Sequence, residues 1–329
     1  MIDISRRKAM LTLTASGAIS VALGTLCTDA YAETPYPNRA IRLVVPFPAG
    51  TSPDVMARLW ADSFQKNAGQ PVIVDNRAGA STIIATQLVG SAPNDGYTLL
   101  WTVNNTFSIN PYVYQKLPYK TEDFIPITRI LSVPYVLVVS GQSRLRNLDD
   151  LIQEARAKPG TLTYASAGIG TGLHVAMARF LNAAGISMVH VPYKDYFATD
   201  LIAQRIDVAF DATTTSLQQI QAGKYRALAI TSTKRIESLP DVPAIAETYP
   251  GFIGDSWHGI FARKGTPESA IAYLESHSRR IVETPAFQAS LRGYGLTPVD
   301  GSASSFQAFL KEDARAWEKV VRDNKISID

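Results

Sequence analysis

The chain carries one cysteine in 329 residues, Cys27, and it lies close to the N-terminus. The rest of the sequence therefore has no thiol nucleophile, no thiolate metal ligand and no disulfide framework. Histidine is almost as scarce, with four residues at His174, His190, His258 and His277. No two of them have the helical spacing of a metal site, and there is no Gly-x-Ser-x-Gly elbow. Neither a metal nor an organic cofactor is expected, and an enzyme is the weakest class of function. Charge of one sign is also missing: 32 Lys and Arg face 29 Asp and Glu, and there is no long basic run. Nucleic acid and anionic membrane are poor partners for such a surface. No repeat or low-complexity tract is visible.

What is present begins with a basic head, Ser5-Arg6-Arg7-Lys8, a mildly apolar run from Met10 to Leu26, and Ala30-Tyr31-Ala32. Gly17, Ser20 and Gly24 interrupt that run, so it makes a poor membrane span. The pattern reads as a secretory signal over residues 1–32, cleaved after Ala32 and exported by the Sec or the twin-arginine route. A chain exported without disulfides needs a core large enough to be stable unaided, and its length suits two domains.

Apolar runs at Ile41 to Phe47, Val72 to Val74 and Tyr97 to Val103 alternate with helical patterns from Ser52 and Ser81. This βαβαβ order predicts a mostly parallel sheet with helices on its faces. A second α/β unit follows from Val133, and the chain ends in helices from Pro267 onward that are expected to pack back on the first unit. The chain then crosses twice between two lobes, near Ser132 and Ser256. Residues 33–132 and 256–329 form the first, discontinuous domain and 133–255 the inserted second one, with the two crossing strands as a hinge.

Two loops stand out. "TYASAGIGTGLHVA" runs from a strand through Gly168, Gly170 and Gly172 into a helix. Its third glycine is one residue early for a dinucleotide fingerprint, so the loop reads better as an anion site at a helix N-terminus or as a structural turn. Pro48 to Asp54 repeats the device after the first strand, with Ser52 as the expected N-cap and Pro53 opening the helix. Thr171 is the corresponding cap in the second loop. Two such N-termini facing across a cleft would hold a carboxylate without lysine or arginine, each helix dipole adding on the order of 1 kcal/mol. His174 reads as a loop-bracing residue or a ligand contact, His190 as a satisfied core histidine and His277 as a surface residue. His258 and its neighbour Trp257, on the second crossing strand, are candidates for the cleft wall, with a place in the core as the alternative for Trp257.

These segments, taken together, resemble a known family. "YPNRAIRLVVPFPAG", "GQPVIVDNRAGA", "LTYASAGIGTGLHVA", "VHVPYK" and "SWHGIFARKGTP" occur in the order and spacing of the Bug-type periplasmic receptors, the solute-binding components of tripartite tricarboxylate transporters. The resemblance implies a type II periplasmic-binding fold that closes as a monomer on a small carboxylate, then docks on membrane subunits. It implies ligand contacts at Pro48, Ala49, Gly50, Ser52 and Asp54, and at Ser166, Ala167, Gly168, Gly170, Thr171 and His174. Asp211 matches a family aspartate at the cleft, with a helix-capping role as the alternative. Phe107 corresponds to a position at the cleft edge.

The chain departs from the family at Thr51, at Gly172, and in "VPYKDYFATD", which is shorter than usual and places Tyr196 and Phe197 where small residues are typical. If three of Phe107, Tyr196, Phe197, Trp257 and His258 line the pocket, they offer flat walls for an aromatic mono- or dicarboxylate, with packing of the shortened loop on its own lobe as the alternative for Tyr196 and Phe197. A sensory or scavenging binder of an aliphatic dicarboxylate or acidic amino acid is the alternative to a transport receptor.

Overall fold

The computed structural model describes residues 35–194, 196–299 and 301–328. The expected signal over residues 1–32 and Asp195 of the second loop region lie outside them. From Tyr36 onward the chain forms one compact unit built on two sheets.

The first half opens as β1 (Ile41–Val45), α1 (Ser52–Ala68), β2 (Val72–Asn76), α2 (Ile83–Ser91) and β3 (Thr98–Val103). A π-helical turn, Asn105–Ile109, then leads into the short α3 (Asn110–Val113). β4 (Phe124–Val133) and β5 (Tyr135–Ser140) follow, separated by Pro134 alone. Proline cannot donate to a ladder, so the apolar run read as one segment from Val133 breaks there, and the chain leaves one sheet for the other. Next come α4 (Leu148–Ala157), β6 (Thr163–Ser166), α5 (Gly172–Ala184), β7 (Val189–Pro192), α6 (Ala198–Ile202), β8 (Val208–Ala212), α7 (Thr213–Gln221) and β9 (Tyr225–Ile230). After α8 (Ile245–Thr248) the chain returns through β10 (Ser256–Arg263) and closes with α9 (Glu268–Glu283), α10 (Pro285–Gly293), β11 (Thr297–Pro298) and α11 (Ala303–Asp323).

The first sheet has the order β11-β4-β10-β3-β1-β2 and the second β7-β6-β8-β5-β9. Each contains the parallel triple its βαβ pattern predicts: β2-β1-β3 in one, β7-β6-β8 in the other. The strands beside the crossings, β4, β10 and β5, add antiparallel pairs. Both sheets are thus mixed, because a strand that enters from the opposite lobe runs against the parallel set.

Apolar side chains cover both faces of each sheet. Trp60 and Phe64 of α1 pack on Leu43 and Trp101, together with Leu274 and Ile281 of α9. The opposite face carries an aromatic cluster of Phe107, Phe124, Trp257, Phe261 and Phe306. α9 and α10 stay with the first sheet, as expected, but α11 does not. Its Phe306 belongs to that aromatic cluster, while Trp317, Val320 and Val321 are buried with Val175 and Phe180 of α5. The last helix is therefore a third tie between the two sheets.

Candidate ligand-binding site

The loops after β1 and β6 are built alike. Gly50 and Gly170 both have positive φ, 81° and 74°, a conformation that glycine adopts without strain. Each is followed by an extended threonine at the N-cap, Thr51 (φ −75°, ψ 161°) and Thr171 (φ −73°, ψ 159°). Neither threonine caps its helix with its side chain. Thr51 Oγ1 donates to Pro48 O and Thr171 Oγ1 to Gly168 O, each at 2.7 Å. The N-cap of α1 is thus Thr51 rather than Ser52, which stands at the first helical position.

The match extends to the residue four positions after each glycine. Gly50 N donates to Asp54 Oδ2 at 2.8 Å, and Gly170 N to His174 Nδ1 at 3.0 Å. Asp54 is buried and also accepts from Asn76 Nδ2 and from the Arg58 guanidinium. Burial pushes its carboxyl up, but the bonds from Arg58, Gly50 and Asn76 outweigh that and hold it below the ordinary range. His174 lies face to face with His190, ring centres 4.0 Å apart, and Tyr164 continues the stack at 4.8 Å from His190. Burial, with the neighbouring His190, brings His174 down to about 4, and burial alone does the same to His190. Both imidazoles are neutral at pH 7, and His174 serves its loop as an uncharged acceptor. Its bracing role is the one the structure shows. His190 is satisfied, as expected, through Ser166 Oγ at 2.6 Å, but it is only half-buried. Ser166 Oγ is further engaged by Gly168 N at 3.1 Å. Its hydroxyl holds the loop together rather than pointing away from it.

What these loops leave unbonded is specific. Ser52 Oγ is buried and has no partner among the described residues. The first-turn amides of the two helices, Ser52 and Asp54 in α1 and Leu173 and His174 in α5, have no partner to accept from them within their own helices. The positive end of each helix dipole adds to these donors. The second loop has fewer free donors than expected, because Asn105 takes part of it. Asn105 Oδ1 accepts from Gly172 N at 3.2 Å, and its Nδ2 donates to Gly170 O at 3.3 Å. A Cβ on Gly170 would meet Val113 and Ile328 at 2.8 and 2.9 Å. The space beside the Gly170 Cα is filled by these two side chains.

Asn105 also ties the end of β3 to the second loop. β1 and β3 are neighbouring parallel strands, with Val44 opposite Leu100, so the loop after β1 and the segment after β3 leave the same edge of the sheet. Asn105, just past the end of β3, touches the loop after β6. Both loops sit at the carboxyl ends of parallel strands, where ligands of open α/β sheets bind. Asn104 belongs to the same corner: its Oδ1 accepts from Ser256 Oγ at 2.9 Å, and its buried Nδ2 has no partner. Sequence reasoning missed both asparagines. The one available signal was a pair of amide side chains at the end of an apolar strand.

β8 places Asp211 at the same edge as the second loop, since β6 and β8 are parallel neighbours. Asp211 is 3% exposed; its Oδ1 accepts from Ala212 N at 2.9 Å and Thr215 Oγ1 at 2.7 Å, so it braces the start of α7 without capping a helical amide. Its Oδ2 accepts from the Tyr196 hydroxyl at 2.5 Å. Burial pushes Asp211 up to about 6 against the pull of these donors.

The other aromatic candidates are in the core. β10 is buried on both faces, which strand alternation in the sequence cannot reveal. Trp257 points to the α11 side, packs on Phe306 and donates from Nε1 to Asp313 at 2.7 Å. His258 points the other way, onto Trp101, and burial brings it down to about 3. Phe107 stacks on Phe261 at 4.3 Å, and Phe197 is 1% exposed. Tyr196 alone of the five keeps an exposed ring, at 49%.

Comparison with known proteins gives one consistent result. Residues 56–326 match the family described as tripartite tricarboxylate transporter family receptor. Protein BugT of Bordetella pertussis is 34% identical over 319 residues, 95% of this chain and 98% of its own length. A solved R. palustris protein with adipate is 32% identical with a TM-score of 0.82, covering 89% of this chain and all of the other. A second, MatC of Rhodopseudomonas palustris with bound malate, is 26% identical with a TM-score of 0.77, covering 87% of this chain and all of the other. The family match spans most of the chain, and the chain belongs to the tripartite tricarboxylate transporter receptor family, whose members are solute-binding proteins of the Bug type and not enzymes.

Proposed function

We propose that this protein is a periplasmic receptor that binds a small dicarboxylate between the loops Pro48–Asp54 and Ser166–His174, and delivers it to the membrane subunits of a secondary transporter. The observation that carries the reading is the pair of equivalent loops, each presenting first-turn amide donors at a helix N-terminus, with Asn105 from the end of β3 bonded to the second loop. A carboxylate is the acceptor that such donors suit, and each bond to it contributes about 1.5–3 kcal/mol. The adipate and malate held by the two solved relatives are acids of that size. An aromatic ligand loses its support, because four of the five rings expected at the pocket are core residues. Binding closes the cleft as a hinge about Pro134 and the segment between Ile230 and Ser256.

Calorimetric titration of succinate, malate, glutarate and adipate into the wild type and Ser52→Ala tests this. At least one acid is expected to bind, and loss of the Ser52 hydroxyl is expected to weaken it roughly tenfold or more, equivalent to at least about 1.4 kcal/mol. An unchanged affinity in Ser52→Ala would place the carboxylate elsewhere.

A further inference from the structure

Building on the carboxylate reading, we infer that the Tyr196 hydroxyl occupies the place on Asp211 where a ligand ammonium would bind, so that this receptor takes acids without an amino group and rejects α-amino acids. The argument starts from the valence of one carboxylate. Asp211 Oδ1 is taken by Ala212 N and Thr215 Oγ1, both within its own helix start. Only Oδ2 points away from α7, and the phenol of Tyr196 closes on it at 2.5 Å. Asp211 lies at the carboxyl edge of the second sheet, next to the strand that carries the glycine loop. A buried carboxylate at that place is the natural counter-group for an ammonium lying beside a carboxylate held by the loop.

In this chain the counter-group is already used. The phenol is an internal donor that needs no ligand, and it joins the half-exposed Tyr196 to the buried carboxylate. An α-amino acid would have to displace the phenol or leave its own ammonium desolvated without a partner. An acid with hydrogen or hydroxyl at that carbon meets neither requirement. Substitution by phenylalanine keeps the ring and removes only the hydroxyl, leaving Oδ2 available to a charged donor.

The test uses matched pairs that differ by one amino group: succinate with aspartate, and glutarate with glutamate. Each is titrated calorimetrically into the wild type and Tyr196→Phe. The wild type is expected to bind the amino-free member at least thirtyfold more tightly. In Tyr196→Phe that ratio is expected to shrink at least tenfold, through tighter binding of the amino acid. Diacid binding with a ratio that the variant leaves unchanged, or equal wild-type affinity for glutarate and glutamate, would overturn the inference and leave the Tyr196–Asp211 bond as a loop fastener only. Absence of binding by every acid, succinate to adipate included, would overturn the carboxylate reading itself. The wild-type ratio decides by itself should the variant fail to fold.

Discussion

Replacing Asp255 by asparagine is expected to stabilise the protein at neutral pH and to do nothing in acid. Asp255 stands where the chain returns to β10, between the two crossings. Its Oδ1 accepts from Thr231 Oγ1 at 2.6 Å and its Oδ2 from Ser132 Oγ at 3.1 Å. Thr231 in turn takes the amide of Tyr135, so one side chain joins both crossing segments. Burial pushes this carboxyl up to about 6, and the two hydroxyl donors do not bring it back. An unfolded aspartate titrates near about 3.9, so the native state holds its proton over roughly two further units. Stability contributed by this group is therefore present below about pH 4 and declines as pH rises through about 6. At about 1.4 kcal/mol per unit, ionising it in place costs on the order of 3 kcal/mol at pH 8. Asparagine cannot ionise and keeps both contacts. Its oxygen accepts from Thr231, its NH2 donates to Ser132, and Ser132 turns its proton to Ser256 O, already 3.4 Å away. Urea unfolding at pH 4, 6 and 8 measures the difference. The midpoint of Asp255→Asn is expected to match the wild type at pH 4 and to rise by about 1 M at pH 8, given slopes of about 1–3 kcal/mol per molar. Asp211 contributes a dependence of the same sign in both proteins, which cancels in the comparison. Equal midpoints at every pH, or a variant less stable at pH 8 than the wild type, would refute the reasoning.

Asp54→Asn is expected to show the opposite profile. The native carboxyl is held below its ordinary range, so its stabilisation is present above about pH 3.9 and is lost as pH falls through the native value. The substitution should cost about 1–3 kcal/mol at pH 7, chiefly through the Gly50 and Asn76 bonds since Arg58 is half exposed, and progressively less below pH 4 in the same urea assay. Gly170→Ala is expected to destabilise by about 2–4 kcal/mol, from the left-handed backbone and from contact with Val113 and Ile328, whether or not ligand is present.

The parts of the fold that repeat a local period were legible. The βαβ alternation gave both parallel triples, and the glycine loops and both crossings fell where residue types required them. What was hidden depends on partners far along the chain. Trp257 and His258 looked like cleft residues because they begin a strand after a change of pattern, yet α11 and α1 cover the two faces of that strand. α11 shows one apolar stripe in sequence, and nothing in the stripe says that its first turns meet one sheet and its last turns the other. Asn105 is bonded across 65 and 67 positions, to Gly170 and Gly172. No window of sequence holds both ends of such a contact.

The equivalence of the two loops was visible in part and explains a difference that composition alone leaves open. Pro48-Ala49-Gly50-Thr51-Ser52-Pro53-Asp54-Val55 aligns with Gly168-Ile169-Gly170-Thr171-Gly172-Leu173-His174-Val175 without a gap. Each glycine amide is locked by an acceptor four residues on, and Val55 N and Val175 N close the first turns on Thr51 O and Thr171 O at 2.9 and 3.0 Å. The acceptors differ in charge. Beside the anion site proposed here, Asp54 is tolerable because the Arg58 guanidinium meets it at 2.9 Å and offsets its field at short range. The second loop has no such cation among the side chains that contact His174: its ring neighbours are His190 and Tyr164. A carboxylate at position 174 would set an unpaired negative charge against the ligand's own. A neutral imidazole offers Gly170 N the same acceptor without that repulsion, and stacking on His190 in a buried place keeps it neutral. Under the proposed carboxylate reading, the choice of Asp in one loop and His in the other follows from a single requirement, that each glycine be fixed while the net charge facing the ligand stays close to zero.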